Sequence, residues 1–365
     1  MITIQKTLTL PDTYPLKEIG PPKDLLFFDI ETTGFSGSSS QLYLIGCLYW
    51  QKDTWNLIQW FADSKDAEAN LLHSFLCLVR QFKILLHFNG DTFDLPYLQK
   101  RCTHLGIDWD ISHIKSLDLY KKIKPYRKLL GMDSLKQKAI ERFLGINRTD
   151  TFSGGELVQV YQDYLASHNQ SLESLLLLHN EDDLKGMPEI LPILYYEDFW
   201  THPFSLIQQN ICSEPVRDNH SSHQLKLTCQ SEYSIPVPFF RKTPMVSCLA
   251  KDNRLYLTIE LFQGILKHFY SNYKNYYYLP YEDTAIHKSV GEYVDKSART
   301  KATAKNCYTK QEGLFLPQFD PIWEPAMQKE YKSKPFYVSL SHVNLEDPSL
   351  FHHYLCLLQK HLETI

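Results

Sequence analysis

The sequence predicts an α/β fold: a mixed β-sheet flanked by helices, followed by a smaller α+β C-terminal region. Three observations carry this expectation. The runs "LLFFDIE" (25–31), "LYLIGCLYW" (42–50) and "WNLIQWFA" (55–62) follow one another closely. Turn residues in "TTGFSGSSSQ" and "QKDT" separate them, which reads as an antiparallel meander. Next, residues 66–82 carry apolar side chains at helical spacing. A fourth β-type run follows, "ILLHFNG" (84–90), and then a second helical pattern, "TFDLPYLQKRCTHLG" (92–106), with Gly106 as its stop. Strand–helix alternation after a meander gives a mixed sheet with helices packed on it. Finally, the character of the chain changes near residue 200, and short β-like runs resume from residue 224.

The expected organisation is an N-terminal arm over 1–22, which is polar and ends "EIGPPKD", a first domain over 23–200 and a C-terminal α+β region over 201–365. From about 118 to 195 the pattern is mostly helical. The polar, turn-rich "CSEPVRDNHSSHQ" (212–224) reads as a linker. Beyond it come "QLKLTCQS", "IPVPFF", "MVSCLA" and "RLYLTIELF", with "KDN" as a hairpin turn between the last two. "DTAIHKSVGEYVDKSARTKATA" (283–304) reads as helical.

Composition sets bounds. The chain has 365 residues, 43% hydrophobic and 13% aromatic, which suits a folded chain of two ordinary domains. Its net charge of −4 excludes a global basic field, so an anionic partner has to be met by local patches. The N-terminus lacks a basic segment followed by an apolar one, and no apolar run approaches the roughly 20 residues of a membrane span. The eight cysteines are scattered and none forms a CxxC pair, which argues against a zinc site or a disulfide framework. A cytoplasmic location is the simple expectation.

The chemistry concentrates in acids. Asp29 and Glu31 stand two apart at the end of an apolar strand, so both carboxylates point to one face. Two like charges there repel unless a cation lies between them, and a divalent metal takes oxygen ligands from carboxylates. Asp94 follows the fourth β run at the start of a helix, at the same sheet end. Asp91 is a rival ligand three residues earlier. In "SLLLLHNEDDLKGM" (174–187), His179 and Asp183 are four apart and share a helix face. That spacing turns Asp183 inward among apolar neighbours and leaves Glu181 and Asp182 to face water.

These motifs resemble the DEDD exonuclease superfamily, whose fold is ribonuclease H-like. "FDIETTG" resembles the first motif, "HFNGDTFD" the second and "HNEDD" the third, in the same order, across about residues 24–196. More narrowly, the chain resembles the bacterial YprB-like branch, also through "LDLYKKIKPYRKLLGMDSLKQKAIERFLGI" and "FSGGELVQVYQDYL". The resemblance implies 3′–5′ exonuclease chemistry with two divalent cations, Mg²⁺ or Mn²⁺, held by Asp29, Glu31, Asp94 and Asp183. The third motif departs from the family's patterns: His179 occupies the place of a tyrosine in Tyr-x-x-x-Asp. A neutral imidazole there can orient or deprotonate the attacking water, and a packing role is the alternative.

A polyanion is expected to meet residues 115–148, where ten Lys or Arg residues, Lys121, Lys122, Lys124, Arg127, Lys128 and Arg148 among them, face only Asp118, Asp133 and Glu141. Thr32, Asn89 and Phe93 complete the expected nucleic-acid contacts, the last two by resemblance to the second motif. "FSGGEL" (152–157) reads as a turn before a helix that could line the cleft. In the C-terminal region, the lysines of 287–310 beside "YSNYKNYYYLPY" read either as a nucleic-acid grip or as ordinary core and surface tyrosines. Two other functions fit the same motifs: an inactive nucleic-acid-binding adaptor, and a structure-specific endonuclease of ribonuclease H-like fold.

Overall fold

The computed structural model describes residues 1–146, 154–215 and 221–364. The chain forms two compact units: Met1–Arg127 with Gly131–Glu197, and Lys128–Leu130 with Asp198–Ile365.

In the first unit, six strands form one sheet: β1 (Ile2–Leu8), β2 (Leu25–Thr32), β3 (Leu42–Gln51), β4 (Thr54–Phe61), β5 (Ile84–His87) and β6 (Lys115–Asp118), in the order β1-β4-β3-β2-β5-β6. The meander expected from the sequence is β2-β3-β4, antiparallel throughout. β5 and β6 then add in parallel beside β2. The helices up to residue 201 are α1 (Glu68–Val79), α2 (Asp94–His104), α3 (Leu119–Ile123), α4 (Arg127–Leu130), α5 (Gln137–Phe143), α6 (Gly154–Ser167), α7 (Gln170–Ile190) and α8 (Tyr195–Thr201); most residues of α4 and α8 belong to the second unit. This is the predicted α/β class. Among the described residues no helix is long and apolar enough to cross a membrane.

Strand periodicity explains how the sheet is covered. The even residues of β2 face α1, where Phe28 packs on Phe75. The odd residues face α7, because Asp29 bonds Asn180 and Glu31 approaches His179. Gly46 of β3 lies opposite Asp29, and a Cβ there would stand 2.0 Å from Asn180 Oδ1 and 2.5 Å from Leu184 Cδ1. The missing side chain lets α7 lie directly on the sheet.

Two stretches differ from expectation here. Within the segment read as an arm, Ile2–Leu8 pairs along its whole length with β4. Its alternation of Ile2, Ile4 and Leu8 with Thr3, Gln5 and Thr7 suits an edge strand. Glu181 does not face water: it is buried and ion-paired with Lys6 of β1 and Lys185. A buried carboxylate needs such partners.

In the second unit, β7 (Ser205–Pro215), β8 (Ser221–Gln230), β9 (Phe239–Lys242), β10 (Val246–Lys251), β11 (Arg254–Phe269), β15 (Tyr308–Gln318) and β16 (Phe336–Ser339) form a seven-stranded sheet. β12 (Tyr276–Leu279), β13 (Thr284–His287) and β14 (Thr300–Lys301) form a three-stranded one, beside the single turn α9 (Lys288–Gly291). The C-terminal helix is α10 (Pro348–Leu362). The "KDN" hairpin joins β10 to β11, with Asp252 at φ 54°. The linker expected over 212–224 is instead taken up at both ends by β7 and β8, paired in register from Ser205↔Gln230 to Pro215↔Ser221, while 216–220 lie outside the described residues. Polar character misled there because a two-sided hairpin needs no continuous apolar run. The helix expected over 283–304 is also corrected: β13, one α-turn and β14 replace it, because β12 offers backbone partners on both sides.

Candidate metal centre

Three elements meet at the C-terminal end of β2. Asp29 and Glu31 come from the strand, Asp94 opens α2, and His179 and Asp183 come from one face of α7. His179 Nε2 lies 3.5 Å from Glu31 Oε1 and 3.4 Å from Asp183 Oδ2. One donor atom from each of these three residues falls within 4.8 Å of the others, close enough to share one cation. The Tyr43 hydroxyl donates to Glu31 Oε2 at 3.5 Å. Asn180 Nδ2 donates to Asp29 Oδ2 at 2.8 Å, while its own Oδ1 accepts from Gln59 Nε2 at 2.9 Å.

The electrostatics record the crowding. Burial pushes the Asp29 carboxyl well above its ordinary range, and the charges of Asp183, Glu31 and Asp94 push it further, against the Asn180 hydrogen bond. Asp94 is pushed up to about 7, chiefly by burial and then by Asp118, while its own backbone amide and that of Ile30 act the other way. Four carboxylates, Glu31 and Asp94 buried and Asp29 and Asp183 half-buried, are a poor arrangement by themselves and a good one around hard cations. Carboxylate oxygens with one imidazole suit a divalent cation.

Asp91, the rival to Asp94, turns elsewhere. It accepts from Ser116 Oγ and from Lys121 Nζ, the latter at 2.7 Å. Its neighbour is the buried His87, whose Nε2 lies 2.7 Å from Ser116 Oγ and whose Nδ1 accepts from the Gly90 amide at 3.1 Å. Asp118 Oδ1 accepts from the amides of Asn89 and Tyr120, and its Oδ2 from that of Asp91. His87, Asp91 and Asp118 could also gather around an ion. Their donors and acceptors are already matched, with Lys121 supplying the positive charge, so the group reads as the fastening of loop 88–93. The imidazole is held toward its neutral form, mainly by burial.

The expected nucleic-acid contacts sort unevenly. Asn89 sits in that loop at φ 63°, a conformation Asn tolerates, and its Oδ1 accepts from Thr92. Phe93 lies edge-on to Phe35 at 6.2 Å, and Phe35 is 94% exposed. Thr32 closes the turn after β2 by donating to the Gly34 carbonyl. Lys121 is tied to Asp91 and Lys122 to Glu197. Lys124 stands 5.8 Å from the Tyr120 ring. Arg127 donates to the carbonyls of Met132 and Asp133, which closes α4. Lys128 belongs by its contacts to the second unit. Arg148, Phe152 and Ser153 lie outside the described residues, and α6 begins at Gly154.

Sequence reasoning overlooked Asn180, Gly46, Tyr43 and the His87–Asp118 group. Gly46 had a signal, since a glycine inside a strand marks close backbone approach. Asn180 had one too: a polar residue on a helix that also carries Leu176 and Leu184 needs a partner when buried. Tyr43 and His87 carry no local mark.

Residues 26–195 match the family model of the ribonuclease H superfamily. A Bacillus subtilis (strain 168) protein, "Uncharacterized protein YprB", is 27% identical over 168 residues, covering 45% of this chain and 40% of its own. A DNA polymerase of Thermococcus kodakarensis is 31% identical over 94 residues, covering 23% of this chain and 6% of the polymerase. A DNA polymerase of Pyrococcus glycovorans is 33% identical over 92 residues, covering 23% and 12% respectively. The chain thus spans well under two thirds of each relative. Among solved structures, the family B DNA polymerase of Pyrobaculum calidifontis aligns with a TM-score of 0.40 at 13% identity, over 70% of this chain and 35% of that one.

Proposed function

Because residues 26–195 form a ribonuclease H superfamily domain of the YprB-like branch, we propose that the chain is a divalent-cation-dependent nuclease that removes nucleotides from the 3′ end of a nucleic-acid strand. One observation carries the reading: Asp29, Glu31, Asp94 and Asp183 converge from three elements, and their mutual repulsion raises Asp29 beyond what burial does. A nuclease-type fold accounts for the sheet, and a cation requirement accounts for the acids.

When bound, a pair of cations would polarise the scissile phosphate and lower the pKa of the attacking water. The protein's own groups do the remaining work. Asn180 fixes the rotamer of Asp29 through one hydrogen bond. His179 Nε2, within 3.5 Å of Glu31 and Asp183, stands at the edge of the acidic cluster where it can orient the attacking water. Phe35 and Phe93 offer an apolar edge on which a terminal base can stack. A groove of about 580 Å³ lined by Asn89, Tyr120, Arg127 and Lys136 reaches Gln137, which donates to the Asp183 carbonyl at 2.9 Å. The following nucleotides have room there.

The test is digestion of 3′- and 5′-labelled single-stranded DNA and RNA with Mg²⁺ or Mn²⁺, the wild type beside Asp29→Ala and Asp183→Ala. The expected result is stepwise, cation-dependent shortening from the 3′ end, abolished in both variants while their circular dichroism is unchanged. Loss of circular single strands at the same rate would replace the exonuclease with an endonuclease. Tight binding without any cation-dependent loss would overturn the enzyme reading in favour of an adaptor.

A further inference from the structure

The three-stranded sheet of the second unit lies beyond the matched residues and has its own chemistry. Residues 270–310 carry Lys274, Lys288, Lys296, Arg299, Lys301, Lys305 and Lys310 against Glu282, Asp283, Glu292 and Asp295, in a chain whose net charge is −4. They also hold eight tyrosines.

The register sorts these side chains by face. Tyr278 pairs with Ala285, and Tyr276 and Tyr278 pack on the small core of Ala285, Ala302 and Cys307. Tyr277 therefore points the other way, on one face with its direct partners Ile286 and Lys301. On that face the Arg299 guanidinium stands 4.4 Å from the Tyr277 ring centroid and Lys288 Nζ 5.6 Å from it. The face is pinned: Arg299 also donates to the Gly291 carbonyl, and a Cβ on Gly291 would stand 2.9 Å from the Tyr277 ring. Arg299 is thus held at the ring, with Lys288 near it and Lys301 on the same face.

Two of the four acids nearby are engaged by hydrogen bonds. Asp283 accepts from the Tyr278 and Tyr308 hydroxyls and from Lys310, which hold its carboxyl below the ordinary range. Asp295 accepts from the Ser297 amide and hydroxyl. Among the described residues no ion pair involves Lys288, Lys296, Lys301 or Lys305. The segment between α9 and β14, which brings Arg299 to this face, carries Tyr293, 91% exposed; Tyr281, in the β12–β13 turn, is 85% exposed. Large exposed rings and cations free of ion pairs, all within residues 270–310, offer what a single strand needs: charge for phosphates and flat apolar surface for unpaired bases.

We propose that this face of the second unit binds a single nucleic-acid strand, with Lys288, Arg299 and Lys301 on the phosphates and Tyr293 stacked on a base. The binding is independent of the acidic cluster and goes beyond the nuclease reading.

The experiment is fluorescence anisotropy with labelled single-stranded DNA, single-stranded RNA and duplex DNA of about 20 nucleotides at low salt. It uses the full chain carrying Asp29→Ala, which prevents hydrolysis. Adding Lys288→Gln, Lys296→Gln and Lys301→Gln together is expected to weaken single-strand binding at least about tenfold and to flatten its salt dependence by roughly two to three phosphate contacts. Tyr293→Ala is expected to weaken it about fivefold or more, with less change in salt dependence. Both variants keep the parent's melting temperature, since every substituted side chain is exposed but that of Lys288, which is half-buried. Single-strand affinity within twofold of the parent in both variants overturns the proposal. So does equal affinity for duplex, or competition by polyglutamate as strong as by unlabelled oligonucleotide. The two readings separate cleanly: a wild-type chain that binds through these residues but cuts nothing sinks only the nuclease. A chain that cuts while the lysine variant binds as before sinks only this surface.

Discussion

Asn180 Nδ2 donates to Asp29 Oδ2 at 2.8 Å across 151 positions of sequence, and the Asn180 Oδ1 is held in turn by Gln59. The bond joins the helix that carries Asp183 to the strand that carries Asp29. It favours the charged form of an Asp29 carboxyl that burial and three acids disfavour.

Asn180→Ala removes that bond and frees the Asp29 rotamer. Outer-shell hydrogen bonds of this kind are typically worth about 10–100-fold in metal affinity. Mn²⁺ titration by calorimetry is expected to show a loss of that order, with hydrolysis falling in parallel. Unchanged Mn²⁺ affinity would mean Asp29 is positioned without it.

Gly46→Ala places a Cβ against the side-chain ends of Asn180 and Leu184, so either the Asn180 amide gives up its bonds to Gln59 and Asp29 or α7 shifts. Overpacking of this kind costs roughly 1–3 kcal/mol. Urea unfolding should report that loss, and activity should fall further than stability because the helix carries His179 and Asp183. A variant as stable and active as the wild type would show that α7 has slack.

Arg101 and Glu68 form a buried ion pair, with Nε to Oε1 at 2.6 Å. Glu68 also accepts from the Leu42 amide, and Arg101 donates to the Gly37 carbonyl, so the pair fastens the loop between β2 and β3. Arg101→Leu leaves a buried carboxylate uncompensated, at roughly 3–5 kcal/mol. The double variant Glu68→Leu/Arg101→Leu is expected to lose less than Arg101→Leu alone in the same unfolding experiment. A single substitution costing under about 1 kcal/mol would contradict the burial argument.

Asp94, pushed up to about 7 from 3.8, keeps its proton longer when folded than when unfolded. Its contribution favours the fold below pH 3.8 and is lost as pH rises toward about 7, and Asp29 acts in the same direction. Without divalent cation, the first unit should melt at a lower temperature at pH 8 than at pH 5. Mn²⁺ should raise the melting temperature more at pH 8, where proton and cation no longer compete. Asp94→Asn is expected to flatten both trends. A cation-free melting temperature that climbs across this window would contradict the raised carboxyls.

Much of the first unit was legible locally. β2, β3 and β4 announce themselves by apolar runs between turn residues, and α7 by Leu176, His179, Asp183 and Met187 on one face. The second unit was less so. Residues 212–224 and 283–304 were misread because antiparallel pairing is set by a partner strand, and nothing in a polar or mixed run names that partner.

The sequence by itself determined the acids and their elements. Asp29 and Glu31 share a strand face, and His179 and Asp183 a helix face, because periods of 2.0 and 3.6 are properties of the backbone. Only the tertiary structure decided what those faces meet. Asn180 reaches Asp29, α7 lies on Gly46, Asp94 rather than Asp91 joins the cluster, and His87 fastens the loop between them. Those outcomes depend on how a helix crosses a sheet and which carboxylate finds a lysine first, and packing sets both after the local elements exist.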